Sequence, residues 1–136
     1  MQIINSTQIN ESSDKLWNTL RSFDGVEKYL SIVTKSYNDG NVPGSKRTCD
    51  INMGHQMFQT LETLEILDDS NYILQVSLDE GPIQLKGMKF TFSVKRIEDG
   101  KSNLLISTEV GNPDAASTAK TIFAMIGQGL KKLHEQ

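Results

Sequence analysis

The sequence predicts an α+β fold in which one long C-terminal helix covers one face of an antiparallel sheet. Three observations predict it. Apolar and polar residues alternate through several short segments, the pattern of strands with one buried and one wet face. An apolar stripe recurs at helical spacing near the end of the chain. The element order is strand, two short helices, several strands, long helix, so the final helix supplies the second layer over a strand meander.

Residues 2–10 read as a strand with Ile3 and Ile9 on one face. Residues 12–22 switch to helical spacing, with Leu16, Leu20 and Phe23 recurring and Trp17 beside them. Ser12 or Ser13 suits the N-cap, and Asp14 suits the positive end of the helix dipole. A second short helix is expected over 24–30, ending near Tyr29 and Leu30. Strands are expected next at 32–38 and 46–53, the latter with Cys49, Ile51 and Met53 on one side. In 72–78, Tyr72, Leu74, Val76 and Leu78 alternate with polar or outward positions. The clearest strand is 88–95, with Met88, Phe90, Phe92 and Val94 against Lys89, Thr91, Ser93 and Lys95. Residues 103–110 place Leu104, Ile106 and Val110 together. Residues 57–67 fit two patterns. Met57, Phe58, Leu61, Leu64 and Leu67 suit a helix; Phe58, Leu64 and Ile66 suit a strand whose inner face also carries Thr60 and Glu62.

The C-terminal helix has the strongest signature. Asn112 is a good N-cap, Pro113 suits the first helical position and Asp114 favours the dipole. Ala115, Ala119, Ile122, Phe123, Ile126, Leu130 and Leu133 then form the apolar stripe, with Met125 at its edge. Lys131, Lys132 and His134 suit the C-terminal end.

Composition narrows the function classes. The chain has 136 residues and a net charge of -3, with a pI near 5.3. A chain of this length buries roughly two thirds of its surface, enough for one domain over residues 1–136 with a real core. The acidic balance argues against a nucleic-acid partner. Apolar runs are too short for membrane insertion, and the first residues lack the basic and apolar regions of a secretory signal. The single cysteine, Cys49, cannot form an internal disulfide. A cytoplasmic protein is the expectation. His55, His134 and Cys49 give no metal signature, no cofactor is implied, and no glycine-rich phosphate loop or nucleophile elbow is present.

Four stretches resemble the START-like superfamily, also called Bet v 1-like, and within it the bacterial polyketide cyclase/dehydratase group. They are Ser13-Asp14-Lys15-Leu16-Trp17, Pro43-Gly44-Ser45-Lys46-Arg47, Glu62-Thr63-Leu64-Glu65-Ile66-Leu67-Asp68-Asp69 and Gly127-Gln128-Gly129-Leu130-Lys131-Lys132-Leu133. The plant abscisic acid receptors are similar across the same stretches. The resemblance implies a helix-grip fold: a seven-stranded antiparallel curved sheet around the long C-terminal helix, two short helices after the first strand, and a cavity between sheet and helix. It also makes 57–67 a strand. It implies an apolar small-molecule partner of lipid, quinone or aromatic polyketide type. The receptors' gate is replaced by Met53-Gly54-His55-Gln56, their latch by Ile83-Gln84-Leu85, and their cavity lysine by Thr34, so hormone binding and phosphatase partnership are not carried over.

Glu62 is the most informative polar residue, because it falls on the family's mid-strand cavity carboxylate. A carboxylate in an apolar pocket recruits arginine or ordered water. It could then accept a ligand hydroxyl or act as a general acid or base; an exposed strand glutamate is the alternative. Arg47 could pair with Glu62, hold a ligand's acid group, or sit on the surface at a strand start. Cys49 reads as a packing thiol rather than a nucleophile. His55 reads as a loop histidine, His134 as a helix-end charge. The expected ligand-binding set is Thr34, Arg47 and Glu62 for polar orientation, with Leu64, Val76, Met88, Phe90, Ala119, Ile122, Phe123, Ile126 and Leu130 as walls. The ligand is expected to enter between the 53–57 and 79–85 turns and the terminal helix, and a pocket of roughly 300–1,000 Å³ would be of ligand size. Gly127 and Gly129 cost helix stability, and close backbone approach or a kink would explain them. No catalytic residue is assigned. Two other readings remain open: a cyclase or dehydratase using Glu62 with Arg47 or His55, and a protein-interaction module. Assembly as a homodimer is also open.

Overall fold

A computed structural model describes residues 1–135. Its elements are strand β1 (Gln2–Ile9), helix α1 (Ser13–Arg21), a single 3-10 turn at Val26–Lys28, strands β2 (Val33–Asn38), β3 (Lys46–Asn52), β4 (Met57–Asp68), β5 (Ile73–Glu80), β6 (Lys89–Glu98) and β7 (Lys101–Glu109), and helix α2 (Pro113–His134). The strands form one seven-stranded antiparallel sheet in the order β1-β7-β6-β5-β4-β3-β2. The fold expected from sequence is thus the fold observed. The second short helix shrinks to one 3-10 turn, where Gly25, at φ 66°, opens the turn and Tyr29 closes it.

Local chemistry sets the boundaries. Ser12 caps α1 by accepting from the Lys15 backbone N–H at 3.3 Å, and Asn112 caps α2 by accepting from Ala115 at 2.8 Å. The core lies between the sheet's inner face and α2. Ile3, Cys49, Leu64, Val76, Val94 and Ile106 are buried on the sheet side; Ala115, Ala119, Phe123, Ile126 and Leu130 are buried on α2. Alternation holds in β5 and β7, where Leu74, Val76 and Leu78, then Leu104 and Ile106, point inward.

Strand β4 departs from simple alternation. Its pairing with β5 slips between Leu61 and Glu62 and again between Leu64 and Ile66. The second irregularity resets the phase, so Ile66 turns outward and is 47% exposed, correcting its expected inner position.

Both glycines in α2 mark close approach. A Cβ on Gly127 would lie 2.3 Å from the Thr7 hydroxyl on β1, and one on Gly129 would lie 1.6 Å from the Tyr29 carbonyl oxygen. The helix therefore rests on β1 and on the 3-10 turn at distances that only glycine permits.

Two satellite clusters fasten the short helix. The His134 ring lies 3.1 Å from Glu11 Oε2 through Nδ1 and 2.9 Å from Thr19 Oγ1 through Nε2, so it ties α2 to α1 rather than serving only as a helix-end charge. On the other side Trp17 stacks on Tyr72 with centroids 5.1 Å apart. Its Nε1–H donates to Asp69 Oδ1 at 2.8 Å, while Arg21 reaches both Asp69 oxygens at 2.7 and 3.1 Å.

The Arg21 guanidinium, and then Trp17, hold the Asp69 carboxyl below the usual carboxylate range. A carboxyl lowered in the folded state stabilises fully above its unfolded value, about 4, and loses that contribution as pH falls through the folded value. Asp69→Asn keeps an acceptor for Trp17 but removes the charge. It should flatten the acid limb of Tm against pH below about pH 4, modestly because the group is exposed and salt-screened. An unchanged limb would show that Asp69 contributes nothing to acid stability.

Candidate functional site

A hollow of about 120 Å³ lies between the inner face of the sheet and α2. One wall runs from the 3-10 turn to the start of β2, through Val26, Tyr29, Leu30 and Val33. The sheet contributes Cys49 and Ile51 from β3, Phe58 and Thr60 from β4, Leu78 from β5, and Phe90 and Phe92 from β6. The helix contributes Ala119, Ile122, Phe123 and Ile126 along one face. Pro82 and Leu85 close it from the β5–β6 loop. Nearly every wall group is apolar, as expected where period-2 inner faces meet a period-3.6 stripe.

The hollow is smaller than the roughly 300–1,000 Å³ of a ligand-sized pocket. Large side chains occupy the space between the layers. Phe90 on β6 meets Phe123 on α2 edge to face, with centroids 5.7 Å apart. An outer groove of about 870 Å³ adjoins the hollow at Met53, Phe58, Pro82 and Thr118. It lies between the β3–β4 turn, the β5–β6 loop and the N-terminal part of α2.

Arg47 and Glu62 are the charged members of the wall. They are register partners on β3 and β4, so both side chains leave the same face. Arg47 Nε donates to Glu62 Oε1 at 3.0 Å and Nη2 to Oε2 at 3.1 Å, a fork matched to the carboxylate. Their side chains are 9% and 14% exposed. Burial acts against the Arg47 charge, but Glu62 more than offsets it and leaves the guanidinium above the ordinary arginine value. The Phe23 ring lies against the guanidinium, 4.3 Å from its central carbon. Phe23 sits at φ 58° just after α1, a left-handed conformation that is costly for a bulky residue and here aims the ring at Arg47. The Cys49 thiol donates to Glu62 Oε1 at 3.5 Å. Burial, and then the Glu62 charge, push that thiol up to about 12, so it stays protonated at neutral pH. Burial also pushes the Tyr29 phenol up, against the opposing pull of the Arg47 charge.

Of the residues singled out from sequence, the structure brings Arg47, Glu62, Phe90, Ala119, Ile122, Phe123 and Ile126 together on the hollow. Leu64, Val76 and Leu130 are buried in the adjoining core instead. Met88 is half-buried and outside the lining. Thr34 is exposed and donates to the Asp50 carbonyl at 3.3 Å, because the pairing of β2 with β3 slips between Val33 and Lys35 and turns it away. His55 lies in the exposed β3–β4 turn on the outer groove, so it does not meet Glu62. Sequence reasoning missed Tyr29, Phe58 and Leu85 as wall residues. Phe58 shares a face with Glu62 four residues on, a usable signal; Leu85 sits in a loop without periodicity. Among the described residues no group of three or more His, Cys, Asp and Glu is placed to hold a metal ion. No helix among them is long and apolar enough to cross a membrane.

A curved seven-stranded sheet gripping a long C-terminal helix is the architecture of the START-like, or Bet v 1-like, proteins. The chain is 28% identical over 134 residues to an abscisic acid receptor of Arabidopsis thaliana, a match taking in 88% of the chain and 62% of the receptor. The chain thus spans less than two thirds of that relative's length. Three solved structures share the fold at 16–19% identity. A protein of Nitrosospira multiformis superposes with a TM-score of 0.82, covering 98% of this chain and 96% of that one. An uncharacterised protein of Bacillus thuringiensis gives 0.85 with both chains fully covered, and the protein XoxI of Bacillus cereus gives 0.83 over 99% and 96%. No protein-family model matches the chain. These likenesses bear out the resemblance to START-like proteins and to the abscisic acid receptors.

Proposed function

We propose that the protein binds an apolar small molecule of lipid, quinone or aromatic polyketide type between its sheet and its C-terminal helix. The observation that carries this reading is the hollow itself: apolar walls from five strands and α2, with one buried ion pair as their charged feature. Similarity to a receptor for a small molecule supports it. Burying ligand surface contributes about 25 cal/mol per Å² before association costs. The outer groove gives a larger ligand a place to extend beyond the inner hollow. Acid–base catalysis has less support, because Glu62 is engaged by Arg47 and His55 stands elsewhere.

Thermal shift and native mass spectrometry across a lipid and aromatic library test the reading. A binder raises Tm with concentration, about 2.7 kcal/mol of added stability at a hundredfold excess over Kd, and appears as a one-to-one mass adduct. Ala119→Leu, which fills the hollow from α2, should abolish the shift while the variant stays folded. No adduct and no shift across the library would defeat the reading.

A further inference from the structure

The state of the charged pair defines the chemistry of the ligand, given that the hollow is a binding site as proposed above. Arg47 carries five N–H donors. Two of them go to Glu62, from Nε and Nη2, and the Tyr29 phenol stands within reach of a third. The remaining N–H groups belong to a side chain that lines the hollow and is otherwise enclosed, with Phe23 over the guanidinium. Glu62 is similarly committed: Oε1 takes Arg47 and Cys49, and Oε2 takes Arg47. The polar wall is therefore neutral as a unit but has donors to spare.

A carboxylate ligand would add a second negative charge beside a guanidinium already neutralised. It must either stay unpaired or displace Glu62, and each course leaves a buried charge uncompensated. A carbonyl oxygen needs no counter-charge and accepts directly from the spare N–H groups. Size gives the second limit. An apolar cavity of ~150 Å³ accommodates one benzene, so about 120 Å³ limits the enclosed part of a ligand to one small ring at most. Position gives the third. Met53 adjoins the outer groove, and Arg47 lies six positions before it on the same strand and its extension, about 20 Å at the ~3.3 Å rise of a strand. The donors are at the deep end.

We infer that the site selects uncharged ligands that present a ketone, quinone or similar carbonyl oxygen on a ring-sized apolar head, carbonyl first, and that it rejects carboxylic acids. Glu62 is then a specificity-determining residue that acts by occupying Arg47.

Three one-ring probes of similar size separate these effects: acetophenone, benzoate and ethylbenzene. Each is titrated into the isotope-labelled protein at neutral pH, and Kd is read from amide shifts at Arg47, Glu62 and Ile122. Acetophenone should bind about tenfold more tightly than ethylbenzene, the worth of one hydrogen bond to a charged donor. Benzoate should bind at least about a hundredfold more weakly than acetophenone. Glu62→Gln should narrow or reverse the benzoate disadvantage by freeing the Arg47 charge. Equal or tighter benzoate binding to the unaltered protein overturns the inference while leaving ligand binding intact. Ethylbenzene matching acetophenone likewise overturns it, since the donors would then count for nothing. Absence of binding by all three defeats the inference and the ring-sized site together. The comparison on the unaltered protein decides the matter even where Glu62→Gln fails to fold.

Discussion

Gly129→Ala destabilises the protein by about 3 kcal/mol or more in urea unfolding, although alanine is the better helix former by about 1 kcal/mol. The two effects have opposite signs, which makes the test decisive. The new methyl would occupy the place of the Tyr29 carbonyl oxygen, 1.6 Å away, and backbone cannot rotate aside as a side chain can. Either α2 lifts from the 3-10 turn or the turn is displaced, and both open the wall built from Val26, Tyr29 and Leu30. Gly127→Ala meets a side-chain hydroxyl instead, at 2.3 Å, so its cost is smaller and Thr7→Ala recovers part of it. A stabilising Gly129→Ala would mean that helix and turn do not touch.

Glu62→Ala has the second-largest expected effect, a loss of about 3–5 kcal/mol. The loss comes less from the vanished hydrogen bonds than from the guanidinium left behind. Arg47 is buried against Phe23, and Glu62 is the carboxylate that pairs with it, through two hydrogen bonds. Arg47→Met should cost a similar amount by stranding Glu62. The double variant Arg47→Met with Glu62→Leu should recover to within about 1 kcal/mol of the parent, because an apolar pair of similar volume needs no compensation. A double-mutant cycle from urea midpoints measures the coupling. Single losses under about 1 kcal/mol would place the pair in solvent. This cycle also separates stability from selectivity: the apolar double variant should fold well yet lose its preference for a carbonyl.

Most of the fold was legible because its rules are local. Period-2 alternation in β5, β6 and β7 and the capped stripe from Asn112 onward identify their elements without help from the rest. Legibility failed where the site intrudes. In β4 the inner face carries Thr60 and Glu62 where apolar residues would be the rule, and the irregularity between Leu64 and Ile66 breaks the period. Together they make a strand mimic a helix. Thr34 misled for a related reason: a slip in β2 rotates one position, and nothing in the residue types announces it. Glu62 and Arg47 could be singled out separately, yet their pairing depends on cross-strand register, which only the assembled sheet fixes. The strained backbone at Phe23 has no sequence signature at all.

The sheet order carries a kinetic consequence. Among the described residues strand β1 pairs with β7 alone, with Ile3 opposite Thr108 and Ile9 opposite Ser102. During synthesis at ~5–20 residues per second, the first strand waits roughly 5–20 s for its complement to leave the ribosome. Through that interval Ile3 and Ile9 have no partner strand, and closure must bring together segments about a hundred residues apart. Maturation should therefore be slow for a chain of this length, with β1 docking among the late events and chaperones finding their opening before it does.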